Sequence, residues 1–179
     1  MTELIFVRHG ETEANAIKYL SKPDTVLTEL GISQARKAGQ ELKDSGIKTI
    51  VCSPFIRAQQ TAEIIAGELG IDIKHIRIID ELRERSAGKL EGTPKLHEGN
   101  WYDYYFGDED FELVSDVIGR TEIALDKIKK LSSDGLVLVV GHAMAGLCLL
   151  QVVAGKTRLE EFDRGIRLEN AQPVRVQIS

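Results

Sequence analysis

Three apolar runs in this chain each end in residues able to do chemistry. Leu4-Ile5-Phe6-Val7 stops at Arg8-His9-Gly10-Glu11-Thr12. Val51-Cys52 leads to Ser53, with Arg57 four residues beyond it, and Val139-Val140-Gly141 ends at His142. An imidazole can attack an electrophile or carry a proton, and a guanidinium presents forked donors that match phosphate oxygens. Two arginines and two histidines delivered to one edge would suit a phosphate handled by histidine. Since only one histidine can attack, the other needs a different task. The Arg8-His9 pair alone reads equally well as a surface pair in an ordinary loop, so the weight rests on its recurrence at three strand ends.

Those ends meet only if the apolar runs are neighbouring strands. In open α/β sheets ligands bind outside the carboxyl ends of strands, and the Gly10 turn would open a helix whose N–H groups face the same place. The pattern predicts a short helix over 11–20 and a longer one after Leu27-Thr28, ended by Gly46. It also predicts a strand over 48–52, and a helix from Ser53-Pro54 to Leu69, serine capping and proline at the first turn. The alternation over Ile71–Ile79 predicts a third strand. Residues 80–112 are irregular, periodicity returns over 111–131, and Leu136–Val140 reads as a central parallel strand. A helix over 143–154 and a strand over 174–178 complete the chain. Strands alternating with helices predict an α/β fold: a three-layer α/β/α sandwich with a mostly parallel central sheet.

At 179 residues the chain is read as a single domain over 1–179, able to bury a core without metal or disulfide support. A formal net charge of −5 argues against general nucleic-acid or anionic-membrane binding. The only two cysteines, Cys52 and Cys148, sit on apolar stretches and read as buried small hydrophobes in a reducing compartment. There is no signal-like segment and no membrane-length apolar run, so the expectation is a cytoplasmic protein. A homodimer is the commonest assembly to expect.

The motifs together resemble the histidine phosphatase superfamily, the phosphoglycerate mutase-like fold. Residues 4–12 with Asn15 are similar to its signature, and Leu27-Thr28-Glu29-Leu30-Gly31 with Gln34-Ala35 to its next block. Ser53-Pro54 with Arg57-Ala58 and Thr61-Ala62 resembles the third. Leu82-Arg83-Glu84-Arg85 with Gly88 and Glu91-Gly92 resembles the acidic motif, Val139–His142 the second histidine block, and Asn170 the terminal asparagine. The resemblance implies that His9 is the nucleophile, forming a phosphohistidine. It implies that Arg8, Arg57 and His142 hold the phosphoryl oxygens, with Asn15 adding a donor. Glu84 would give a proton to the leaving oxygen and take one from water, with Glu81 in reserve. No metal is needed when arginines neutralise the charge that a phosphoryl transition state spreads over its oxygens.

Two positions depart from the family. Ala143 stands where a glycine usually follows the second histidine, which implies a slightly altered phosphate pocket. Glu112-Leu113 stands where Glu-Ser is common.

Other chemistries fit less well. Cys52 to Arg57 resembles a cysteine-phosphatase loop, but its four intervening residues are too few and include no glycine. His9, His75, His97 and His142 lack metal-ligand spacing. The run from Trp101 to Phe106 holds five of the ten Trp, Tyr and Phe residues. It reads as a segment packed over the sheet, within a short cap-like insertion around 93–111, which could also shape specificity.

The expected activity is that of a phosphomonoester phosphatase acting on a small phosphorylated metabolite without a cofactor. The alternative is a compact cofactor-dependent phosphoglycerate mutase interconverting 2- and 3-phosphoglycerate. It would be primed by 2,3-bisphosphoglycerate, with Arg85 and Lys95 clamping the substrate carboxylate. The short insertion and Glu91 favour the phosphatase. A non-catalytic phosphate-binding module ranks last, because every chemical residue is present.

Overall fold

The N-terminal apolar run becomes strand β1 (Thr2–Arg8), in which Leu4, Ile5, Phe6 and Val7 are all fully buried. In the computed structural model, which describes residues 2–95, 111–163 and 165–178, four more strands join it. They are β2 (Ile47–Cys52), β3 (Ile76–Ile78), β4 (Leu136–Gly141) and β5 (Pro173–Ile178). The sheet order is β3-β2-β4-β1-β5, with β5 antiparallel to β1 and every other pair parallel.

Both faces are covered. The helices are α1 (Glu13–Ala16), α2 (Glu29–Glu41), α3 (Ile56–Leu69), α4 (Val114–Leu131) and α5 (Ala143–Val153). Successive strand residues point to opposite faces, so Leu4, Phe6, Val137 and Val139 pack with Val117 and Ile128 of α4 and Met144 and Leu147 of α5. Ile5, Val7, Leu138 and Val140 pack with Ala38 of α2 and Ala58, Ala62 and Ile65 of α3. Each of the buried Val, Leu, Ile, Phe and Met side chains among these contributes about 1.5–3 kcal/mol. This is the three-layer α/β arrangement expected. Among the described residues no helix is long and apolar enough to cross a membrane.

Several local expectations are corrected. The third strand shrinks to Ile76–Ile78, because the Asp72 carboxylate accepts from Lys74 N at 2.9 Å and winds Ile73–His75 into a 3-10 turn. The first helix is one turn only, opened by a reciprocal Thr12–Asn15 capping box. Beyond it the chain folds back, Leu20 N donating to Thr93 O. Helix α2 ends at Glu41, with Leu42 as its cap, ahead of Gly46. Helix α3 starts at Ile56 with Phe55 at the cap position, so Ser53 does not cap it. The aromatic run 101–106, His97 and most of the 93–111 insertion lie outside the described residues.

Candidate active site

The order β2-β4-β1 makes the three chemical strand ends neighbours. In register, Arg8 stands opposite Gly141 and Cys52 opposite Val140. The ladder then continues one step past the strands: His9 N donates to Gly141 O at 2.9 Å, and Ser53 N to Val140 O at 3.0 Å. His9, Ser53 and His142 therefore lie side by side on rigid backbone. Asn170 closes the other side, its Nδ2 donating to His9 O at 2.8 Å while Ala171 N donates to Arg8 O at 2.8 Å. Gly10 N donates to Thr61 Oγ1 at 3.1 Å. A Cβ on Gly10 would overlap the Gly31 backbone, and one on Gly31 the Glu11 backbone. Both glycines are thus needed for the catalytic turn to sit on the first turn of α2.

His9 is 3% exposed. Its Nδ1 lies 2.7 Å from Gly10 O, which fixes the proton on Nδ1 and turns the Nε2 lone pair outward. Arg57 Nε donates to that Nε2 at 3.2 Å, and Arg57 Nη1 to Lys22 O at 2.8 Å. Burial, then the charges of Arg57 and Arg8, hold the His9 pKa well below its usual value. The imidazole is therefore neutral and nucleophilic at physiological pH. Arg8 approaches from β1, with Nη1 donating to Leu168 O at 2.8 Å.

His142 is wholly buried beneath His9, the ring centroids 5.2 Å apart edge to face. Burial, then Arg57, also lowers its pKa well below the usual value. Its Nε2 lies 2.7 Å from Ser53 Oγ, and its Nδ1 has no hydrogen-bond partner among the described residues. Ser53 Oγ also accepts from Phe55 N at 3.3 Å. If the Ser53 hydroxyl donates to Nε2, the neutral ring carries its proton on Nδ1, ready to bond an anion. Ser53 thus touches a site histidine, a contact that reading it as a helix cap missed. Ser53→Ala should lower kcat about tenfold, because the tautomer is freed and a buried nitrogen left unpaired. Steady-state kinetics on an aryl phosphate checks this, and an unchanged kcat would remove Ser53 from the machinery.

A cleft of about 60 Å³ over His9 is lined by Arg8, Asn15, Arg57, Glu84, Lys95 and Ala143, and Arg85 borders it. Arg8, Lys95 and Ala143 also border a wider chamber of about 280 Å³, floored by Met144, Leu147 and Leu168. The Glu84 carboxylate accepts from Ala145 N at 2.9 Å and Met144 N at 3.2 Å, which docks it on the first turn of α5. Glu81 is elsewhere, bound by both oxygens to Lys127 Nζ at 2.6 and 2.7 Å. The Asn15 Oδ1 accepts from Thr12 N and Asn170 Nδ2, which leaves its amide N–H groups for a ligand. Arg85 Nε donates to Glu112 O at 2.6 Å, and its guanidinium lies 4.8 Å over the Phe111 ring. Burial, then Arg8, lowers the Lys95 pKa.

Two buried neutral histidines make folding sensitive to acid. Below about pH 6.5 the unfolded chain takes up protons that the native His9 and His142 refuse, so stability falls as pH falls. Each contributes up to about 1.4 kcal/mol per pH unit, roughly 3 kcal/mol together. Paired carboxylates such as Glu112 act in a lower window. Burial pulls its pKa up, but the Arg120 hydrogen bonds and charge outweigh this and hold it below 4.5. Urea midpoints should therefore drop between pH 6.5 and 5, and the drop should halve in His142→Gln. A flat profile would mean that the histidines protonate in the native state.

The sequence model of the histidine phosphatase superfamily (branch 1) matches residues 4–179. A Yersinia pestis protein named probable phosphoglycerate mutase GpmB is 34% identical over 188 residues, covering 98% of this chain and 85% of its own. Among solved structures, Bacillus stearothermophilus YhfR superposes with a TM-score of 0.84 at 24% identity, over 100% of this chain and 92% of that one. A mycobacterial glucosyl-3-phosphoglycerate phosphatase superposes with a TM-score of 0.84 at 22% identity, over 99% and 93%. These two structural likenesses concern the fold.

Proposed function

The chain belongs to the histidine phosphatase superfamily, and from that premise we propose that it is a phosphomonoester phosphatase acting on a small phosphorylated metabolite. The observation that carries this reading is the His9 ring, with Nδ1–H tied to Gly10 O and Nε2 facing Arg57 in the cleft. In the first step Nε2 attacks phosphorus and the P–O bond to the alcohol breaks. The protonated Glu84 carboxyl gives its proton to the departing oxygen. In the second step water attacks the phosphohistidine, its proton passes to the Glu84 carboxylate, and the P–N bond breaks to release phosphate. Splitting the displacement makes each half an in-line transfer at a fixed nucleophile. Arg8, Arg57 and the His142 Nδ1–H would stabilise the equatorial oxygens, so the charge is met by the chain's own residues. The adjoining chamber gives the alcohol room and gives water a route to the intermediate.

The second reading is the compact phosphoglycerate mutase. It is favoured by the name of the 34%-identical relative and by the presence of Arg85 and Lys95 at the cleft. In it, 2,3-bisphosphoglycerate would prime His9. Phosphorus NMR of the protein with 3-phosphoglycerate and a trace of the bisphosphate separates the readings. Growth of inorganic phosphate supports the phosphatase. A 2-phosphoglycerate signal without inorganic phosphate supports the mutase. Silence there and with an aryl phosphate would leave a phosphate-binding module.

A further inference from the structure

Glu84 stands on a stretch with no secondary structure to hold it. Asp80–Leu82 is a single 3-10 turn and Arg83 is extended, so residues 83–86 depend on side chains for their position. Beside the Glu84 carboxylate's own bonds from Met144 N and Ala145 N, much of that support comes from a buried arginine and its glutamate partner. Arg120, on α4 and 7% exposed, donates through Nη1 to Glu81 O at 2.6 Å and to Arg83 O at 2.7 Å. Its Nε and Nη2 hold the two Glu112 carboxylate oxygens at 2.9 and 3.0 Å. Glu112 then grips the same stretch from the far side. Its carboxylate accepts from Arg83 Nη2 and from Ser86 N, each at 3.2 Å, and its own N–H donates to Ser86 O at 2.9 Å.

The backbone is thereby pinned three residues before Glu84, one residue before it and two after it. None of Arg120, Glu112, Arg83 and Ser86 lines the cleft over His9, although Arg85, which borders it, hangs from Glu112 O by its Nε at 2.6 Å. A charged pair this deep is costly unless its donors and acceptors are used, and here four guanidinium bonds go to one carboxylate and two carbonyls. Such a fork cannot be reproduced by an ammonium group.

We infer that Arg120 and Glu112 are positioning residues that set where the Glu84 carboxyl meets the leaving oxygen, and that their effect on proton donation runs through Glu84. The inference rests on Glu84 being the proton donor. Proton donation matters little when the leaving alcohol is acidic and greatly when it is not. A displaced Glu84 should therefore show in how the rate depends on the leaving group. A general loosening of the fold would depress every substrate alike.

The test uses the full chain and an aryl phosphate series from 4-nitrophenyl to 4-methoxyphenyl phosphate. Arg120→Lys should cost about tenfold or more in kcat/KM at the 4-methoxyphenyl end and about threefold or less at the 4-nitrophenyl end. Glu112→Gln keeps an oxygen for Arg120 and should show the same tilt at smaller size, which guards against a variant that fails to fold. In the Glu84→Gln background, adding Arg120→Lys should change neither end by more than about twofold, because the group it positions is already gone. Losses that multiply with Glu84→Gln, or fall equally along the series, would overturn the inference. If Glu84→Gln itself leaves the leaving-group dependence intact, the proton-donor reading fails first, and this inference fails with it.

Discussion

His9→Ala should lower turnover by at least about 10⁴-fold, on the scale seen when a catalytic nucleophile is removed. No other described residue of the site can replace it. Burial, with the Glu63 charge, pushes the Cys52 thiol up to about 12, so it holds its proton and cannot attack. His142 has its Nε2 2.7 Å from Ser53 Oγ, and with the proton on Nδ1 it offers no free lone pair for attack. Beyond the Nδ1 contact to Gly10 O, the backbone of the turn has holds that do not depend on the imidazole. It is held by His9 N to Gly141 O, Asn170 to His9 O and Gly10 N to Thr61. The variant should therefore fold, and below pH 6.5 it should lose less stability than the parent, since one buried neutral imidazole is gone. Acid-labile, base-stable phosphate should attach to the parent during turnover and be missing from the variant. A variant that retained activity would overturn the phosphohistidine mechanism.

The strand-end chemistry could be read in the sequence because central parallel strands are continuous apolar runs, and a polar residue that ends one is conspicuous. Leu4–Val7 and Leu136–Val140 are such runs, and they deliver Arg8-His9 and His142 as expected. What linear reading leaves open is which runs are neighbours. The insertion of β4 between β2 and β1 is a long-range choice that no local pattern encodes. Ser53 shows the same limit on a smaller scale. Its local signal, serine before proline, points to a helix cap, while its hydroxyl finds a tertiary partner in His142, 89 residues away.

The spacing of the acidic motif singles out Glu84 with Glu81 in reserve, but not what each carboxylate meets: Lys127 on α4 takes Glu81 and the first turn of α5 takes Glu84. Arg120 is the most instructive omission. An arginine on a helix is ordinarily a solvated charge, and only the irregular backbone packed against α4 turns it inward. The 71–79 segment erred in the opposite direction. Its alternating isoleucines suggested a long strand, and a single Asp72 hydrogen bond was enough to prevent it at a sheet edge.

Arg57→Lys should cost about 10²–10³-fold in kcat/KM although it keeps the charge. Arg57 is 2% exposed and works in three directions at once. Nε meets the His9 lone pair, Nη1 holds Lys22 O, and the guanidinium lies 5.1 Å over the Phe55 ring. Burial lowers its pKa to about 10, with Glu84 opposing and Arg8 adding to the shift, so it remains a cation at neutral pH. As phosphate enters, the donor now resting on His9 Nε2 can turn to a phosphoryl oxygen, freeing the lone pair as the electrophile arrives. Lysine has one compact ammonium and cannot reach His9 and Lys22 together.

If the ammonium stays with His9, Lys22 O loses its partner at a cost of about 1–3 kcal/mol. The segment beside Lys22 carries Leu20 and Ser21, which line the cleft, so KM should rise as well. If it goes to Lys22, His9 loses the donor and the phosphoryl transition state loses a forked contact, so kcat should fall most. Burial also disfavours an ammonium more than a guanidinium, because the ammonium is more strongly hydrated and shifts its pKa more readily. Kinetics on 4-nitrophenyl phosphate together with urea unfolding separate these losses. Activity within about tenfold of the parent would show that the site needs the charge of Arg57 and not its fork.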